Sequence, residues 1–397
     1  MRPSAGRIAT SREAIFLLAL ASFNAGISLR CVEAMLPKLA QDFDSSVPAA
    51  ASIITSFGLG YTAAVLLQGP LGDRFGKLRV VTFATGLAGL AALGCAAAWD
   101  VGSLAALRFV TGVFASAAMP LGMAYIGDVV PVAERQITIA RFVAGSLFGQ
   151  TLGPLFGGLF TDWIGWRSSF LAIGAVFVAV AAVLFARTRT EWPAARPGRF
   201  APLAVHRSLL ARRAMRWLAA IGAAETFFFF GAYSFLGAYF QLRFGLSFTA
   251  IGVLLAGYGV GGLLYSWNAG WLVRRLGERG LVAAGGLLGG ALFSVMAFAP
   301  HWGYAVPSTI GVGIAFYLVH NTVQTKATEV APDARGAAVA MYASAWALGQ
   351  ASGVAAMGMA VRLLDYPVMI CAFGLAFGAL GLWLRHNLWR LRPEPAA

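Results

Sequence analysis

Five ionisable side chains stand inside apolar stretches of this chain, where no water is at hand to hold a charge: Arg30, Glu33, Arg108, Glu225 and His320. Such groups are costly in lipid unless paired, so each is a functional candidate by position alone. The chemistry open to them is reversible proton binding. Burial disfavours a carboxylate's charge and a nearby guanidinium favours it, so moving Arg30 or Arg108 relative to Glu33 would switch the proton affinity of that acid. A permanent structural ion pair, Arg30 with Glu33 at i,i+3, is the competing reading. His320 could titrate near neutral pH, and a hydrogen-bonded structural histidine is its plain alternative.

These residues need apolar elements to carry them, and the composition supplies little else. Hydrophobic residues make up 59% of the 397 positions and charged ones 12%, which excludes a soluble protein with a polar surface. Twelve apolar runs between residues 14 and 388 are each long enough to cross a hydrocarbon core of ~30 Å. With the N-terminus in the cytoplasm, 24 of the 30 lysines and arginines fall on the inner side, the asymmetry that places both termini inside. The start of the chain has a basic flank and an apolar run like a signal peptide, but the run continues to Leu36 and reads as the first span. A net charge of +14 dispersed over short cytoplasmic segments suits anionic lipid headgroups better than nucleic acid. Cys31, Cys95 and Cys371 all lie in spans without metal-ligand spacing and read as apolar packing residues.

Depth along the runs brings the candidates together. Counted at ~1.5 Å per residue from the outer ends, Glu33, Arg30 and Arg108 lie about 6, 10 and 12 Å deep. Glu225 lies about 12 Å in from the cytoplasmic side, near the midplane. Asn24, His320, Asn321, Gln324, Trp346 and Gln350 are the other polar or amphipathic groups within spans, and should face protein or water rather than lipid.

The only long polar interval, 187–216, holds three prolines and eight arginines and reads as a linker between halves 1–186 and 217–397. Its second part could form a short helix on the membrane surface or a solvated basic loop. Shifting the chain by about 200 residues lays Gly69, Leu71, Arg74 and Gly76 on Gly270, Leu272, Arg275 and Gly277, and Gly149, Gln150 and Gly153 on Gly349, Gln350 and Gly353. The expected fold is all-α and polytopic, with two six-helix repeats and a site between them.

Three motifs are specific. Gly145, Gly149, Gly153, Pro154, Gly157 and Gly158 of the fifth run clear one helix face of side chains, so that a second backbone can approach, and the Gly-Pro pair weakens the helix. Between runs 2 and 3, Gly69, Leu71, Asp73, Arg74, Gly76 and Lys77 make a tight charged turn, whose second-half copy has Arg274 where the first has Asp73. In the fourth run, Leu104, Arg108 and Gly112 frame a buried arginine. The sequence resembles the major facilitator superfamily at all three, and its twelve-span drug:proton antiporter group at the first.

That resemblance implies a secondary transporter of the inner membrane, not an enzyme, that exports a small organic compound against proton entry. Its partners would be that solute, protons and the bilayer, with no cofactor, no metal and no nucleic acid, and with a monomer as the default. It implies proton coupling through Glu33 beside Arg108, and a latch between Asp73 and the cytoplasmic end of the eleventh run near Gly336, whose N-terminal dipole could attract the carboxylate. It also implies that the glycines of GYGVGG, Gly257 to Gly262, receive the grooved fifth helix. Midplane Glu225 would be a second protonation site, a contact for a cationic substrate or a structural hydrogen bond. Arg30 counts against lipophilic cations and leaves anions, zwitterions and neutral sugar or amino-acid derivatives open. The rivals are a proton-coupled importer and an integral membrane enzyme; for the latter the four histidines are scattered and no G-x-S-x-G occurs.

Overall fold

The structure, a computed structural model, describes residues 5–192, 202–331 and 334–391, and among these there is no β-strand. The first half of the chain forms α1 (Ala5–Arg30), α2 (Val32–Asp42), α3 (Val47–Ala50), α4 (Ser52–Phe75) and α5 (Lys77–Cys95). It continues with α6 (Val101–Ala115), α7 (Ala118–Val129), α8 (Val132–Trp163) and α9 (Trp166–Thr188). A short α10 (Pro202–Ala211) leads into α11 (Arg213–Phe244), α12 (Phe248–Phe298), α13 (Ala305–Glu329), α14 (Arg335–Ala360) and α15 (Tyr366–Asn387). Of the expected linker, residues 193–201 lie outside the described residues, and the helical alternative for its second part is the one found, as α10.

Among the described residues, nine helical segments are long and apolar enough to cross a membrane. One of them, α12, has 51 residues, and its backbone leaves helical geometry at Gly277 with φ 62° and ψ 170°. At ~1.5 Å per residue it is about twice the length a bilayer needs. Helices α8 and α14, with 32 and 26 residues, fall short on apolarity and not on length, because glycine and glutamine dilute their hydropathy.

Close helix contacts recur along the chain at a displacement of 200 or 201 residues. A Cβ on Gly149 would meet the Phe23 carbonyl at 2.0 Å, and one on Gly349 the Ala223 carbonyl at 2.1 Å. Gly112 on Phe57 (2.2 Å) and Gly313 on Tyr258 (2.1 Å) form a second such pair, and Gly60 on Phe109 (2.1 Å) and Gly261 on Ile310 (2.0 Å) a third. Each of these contacts needs glycine, since no side chain fits between a helix and a carbonyl at that distance. The turns repeat as well. Gly76 and Gly277 both have positive φ, 93° and 62°, and so do Asp44 and Gly245, 47° and 64°. Asp44 is the only non-glycine residue among the described ones to do so.

One expectation about the fifth run is corrected in part. Most of its grooved face receives α1 and Cys31: Gly149 faces Phe23, Gly153 faces Ile27 and Arg30, and Gly157 faces Cys31, whereas Gly158 faces Phe248 of α12. In GYGVGG, Gly257, Gly261 and Gly262 pack on Thr309, Ile310 and Tyr317 of α13, and only Gly259 meets α8, at Thr151. The expected pairing of this helix with α12 is present, with Gly252 on Pro154 and Gly158 on Phe248, but α1 fills most of the groove and GYGVGG turns mainly to α13. The helix α8 runs unbroken past Pro154.

Candidate functional site

Two clusters of buried ionisable groups share α11: one joins the first nine helices to the last five, and the other lies within the last five. The first is built on α1, α2 and α11. Arg30 Nη1 donates to Glu33 Oε1 at 2.6 Å, and Ser234 Oγ of α11 donates to the same oxygen at 3.1 Å. Arg30, Glu33 and Ser234 are at most 1% exposed. Residues 30 and 33 are one helical turn apart across Cys31, whose backbone stays in the right-handed helical region, so both side chains point the same way.

The Arg30 guanidinium lies 3.8 Å above the centre of the Phe230 ring and 5.9 Å from those of Tyr233 and Tyr258. Residues 30 and 230 are repeat partners at the displacement of 200. Two repeat partners can touch only near the axis that relates the repeats, which puts this cluster on that axis. Gly237 on the same face of α11 is also required, since a Cβ there would meet the Glu33 carbonyl at 2.6 Å.

The second cluster lies further along α11. His320 Nδ1 of α13 is 2.7 Å from Glu225 Oε1, and Tyr342 OH of α14 donates to that oxygen at 2.8 Å. Tyr342 OH is also 3.1 Å from His320 Nδ1. Nine residues separate Glu225 from Ser234 on one helix, so the carboxylates are about 13 Å apart along its axis. Rings fill the gap. Phe316 stacks on His320 at 4.9 Å, and Trp346 lies 6.3 Å from His320 and 5.6 Å from Phe230.

Both clusters leave polar atoms without a partner: Arg30 Nη2, Glu33 Oε2, Glu225 Oε2, and between them Trp346 Nε1 and Gln350 Oε1. A buried unpartnered polar atom costs about 1–3 kcal/mol. These are five of the nine such atoms among the described residues, the others lying on Arg108, Ser169 and Thr249.

Arg108 is not beside Glu33 as expected. Its Nη1 donates to Ser28 Oγ at 3.0 Å and its guanidinium lies 4.2 Å from the Phe57 ring, inside the first set of helices. Equal depth did not bring the two groups together because Arg108, on α6, reaches Ser28 of α1, whereas Glu33 faces Ser234 of α11. Asn24, expected in the lining, donates to the Ile173 carbonyl of α9 at 2.9 Å and so binds two helices of the same set. Asn321 is half-buried and Gln324 exposed on α13. Tyr342 was missed by sequence reading; the only available signal was its place one helical turn before Trp346.

The charged turn after α4 is open in this structure. Asp73 and Arg74 are exposed, and Asp73 pairs with no described residue. Lys77 of the same motif is held instead by Asp128 at the end of α7, at 2.5 Å. A Cβ on Gly69 would meet nothing within 4 Å. At the opposite end of the bundle the two sets of helices are tied together: Asp162 of α8 accepts from the Phe248 and Thr249 amides at the start of α12, at 3.2 and 2.6 Å. A Cβ on Gly158 would meet the Phe248 carbonyl at 2.0 Å.

The family model of the Major Facilitator Superfamily matches residues 18–354. A Bacillus subtilis (strain 168) protein known as the uncharacterized MFS-type transporter YceJ is 26% identical over 390 residues, covering 94% of this chain and 96% of its own length. The efflux pump radE of Floropilus chiversii is 28% identical over 155 residues, 38% of this chain and 29% of that protein. Among solved structures, a bacterial homologue of the human lysosomal transporter Spinster, in an inward-facing and occupied conformation, superposes with a TM-score of 0.77 at 18% identity, over 97% of this chain and 99% of that one. The chain therefore belongs to the Major Facilitator Superfamily, a polytopic membrane transporter in its general class.

Proposed function

We propose that this protein exports a small organic solute in exchange for protons, with Glu33 as the proton carrier. One observation carries the reading: Glu33 is wholly buried on the repeat axis, with Arg30 on its own side and Ser234 on the other. Parting the two sides at that point removes the Ser234 bond and opens the acid to water, so its protonation is tied to the conformational step. The glycine motif of α8 and the efflux pump among the relatives favour export.

Twelve spans follow from dividing α12 at Gly277 and counting α8 and α14. The halves 1–186 and 217–397, joined by 187–216, would rock about the axis. The positive-inside bias places both termini in the cytoplasm of a cell whose inner membrane holds the protein. In that orientation the Asp162 contacts close the outer end and the unpaired Asp73 belongs to an open cytoplasmic end. In the opposite state Asp73 would approach the start of α14, as the motif implies. Glu225, His320, Asn321, Gln324, Trp346 and Gln350 would line the substrate path on the cytoplasmic side.

The test is reconstitution in liposomes with an internal pH dye, screening cations, anions and neutral solutes. Solute-driven proton movement in wild type that disappears in Glu33→Gln supports the reading. Movement that survives unchanged in Glu33→Gln makes Arg30 and Glu33 a structural pair and moves proton coupling elsewhere.

A further inference from the structure

Arginine–carboxylate pairs frequently join fork to fork, with two parallel bonds. Arg30 and Glu33 share one bond, at 2.6 Å, and each keeps a second atom idle. Arg30 Nη2 is a donor with no acceptor, Glu33 Oε2 is an acceptor with no donor, and both residues are at most 1% exposed. The pair thus keeps one unpartnered donor and one unpartnered acceptor, both buried, on the axis between the halves. Its surroundings are aromatic: Phe230 lies under the guanidinium, with Tyr233 and Tyr258 beside it.

Charge balance narrows what fits. The pair is neutral as it stands. A lone cation drawn to Glu33 Oε2 would sit against the Arg30 guanidinium, and a lone anion on Nη2 against the Glu33 carboxylate. A molecule that carries both charges a few bonds apart satisfies both atoms and leaves the site neutral. Aromatic faces add attraction for its ammonium and for an apolar body.

We propose that the substrate is a zwitterion with an apolar or aromatic body, its carboxylate on Arg30 Nη2 and its ammonium on Glu33 Oε2. The proposal rests on Glu33 as the proton carrier and explains why exchange would be obligatory. A proton arriving on Glu33 neutralises the anchor of the ammonium, so proton and substrate compete for one oxygen. The substrate leaves as the intact zwitterion, and one proton takes its place.

The probes are phenylalanine, its methyl ester and N-acetylphenylalanine, which share one body and differ in charge. Binding to the purified full-length protein in detergent at pH 7 is read by calorimetry. The expected result is that phenylalanine binds at least about tenfold more tightly than either derivative, and that Arg30→Lys, which keeps the charge and loses the fork, narrows that gap. Equal or tighter binding of the ester or the N-acetyl compound overturns the proposal, and so does failure of all three to bind the wild type, whatever the variant does. The two readings fail separately. A lipophilic cation that drives Glu33-dependent proton release where phenylalanine does not would sink the zwitterion and keep the antiport. Absence of Glu33-dependent proton movement with every solute would sink the antiport itself.

Discussion

The two buried carboxylates differ in who holds them. Glu33 is held by Arg30, a guanidinium that stays charged, whereas Glu225 is held by His320 and Tyr342, whose protons can shift. At the first site the charge can change only at the acid, so its two states differ by one whole charge on the repeat axis. On the proposed reading Glu33 is the proton carrier and Glu225 belongs to the substrate path. The partners also differ in origin. Glu33 is bonded across the two halves, while Glu225, His320 and Tyr342 all belong to α11, α13 and α14, and so would travel together when the halves rock.

Substitution at each acid is the sharpest way to break this contrast. Glu33→Gln should lower solute-driven proton flux by at least about a hundredfold, measured with a pH dye in liposomes. Glu225→Gln should keep the flux proton-coupled and weaken solute affinity by about tenfold, read as a raised half-saturating concentration. If the two results are exchanged, so are the roles of the sites. Tyr342→Phe removes one of two bonds to Glu225 and should raise the half-saturating concentration by only about threefold.

Two glycines test the scaffold beneath the first cluster. Gly157→Ala forces a Cβ to 2.0 Å from the Cys31 carbonyl, between Arg30 and Glu33 in the chain, and should cost about 1–3 kcal/mol, seen as a melting temperature lowered by several degrees. Gly69→Ala, with nothing within 4 Å, should leave the melting temperature unchanged, and any effect should appear in transport rate alone.

Much of this was legible in the residues because lipid punishes exceptions. The buried Arg30, Glu33, Arg108 and Glu225 stood out as charges without water, and the displacement of 200 was visible from Gly149 and Gly349 before any contact was known. What failed to show was direction around a helix. Depth along a span follows from counting, so Arg108 and Glu33 were placed at one level; azimuth depends on which helix packs where, and Arg108 turned out to face Ser28. Asn24 was misread for the same reason, its amide serving the Ile173 carbonyl within the first half. The α8 glycines announced a close approach without naming α1 as the partner. Tyr342 joined the Glu225 site through α14, a contact that no local pattern encodes.

The most direct test is proton release on binding. Purified protein in weakly buffered detergent solution is mixed with a transported solute, and the pH change is followed for wild type, Glu33→Gln and Glu225→Gln. Release in wild type and Glu225→Gln, and none in Glu33→Gln, is the predicted result. Release that persists in Glu33→Gln and vanishes in Glu225→Gln would contradict it, and would move the proton to the site that His320 and Tyr342 hold.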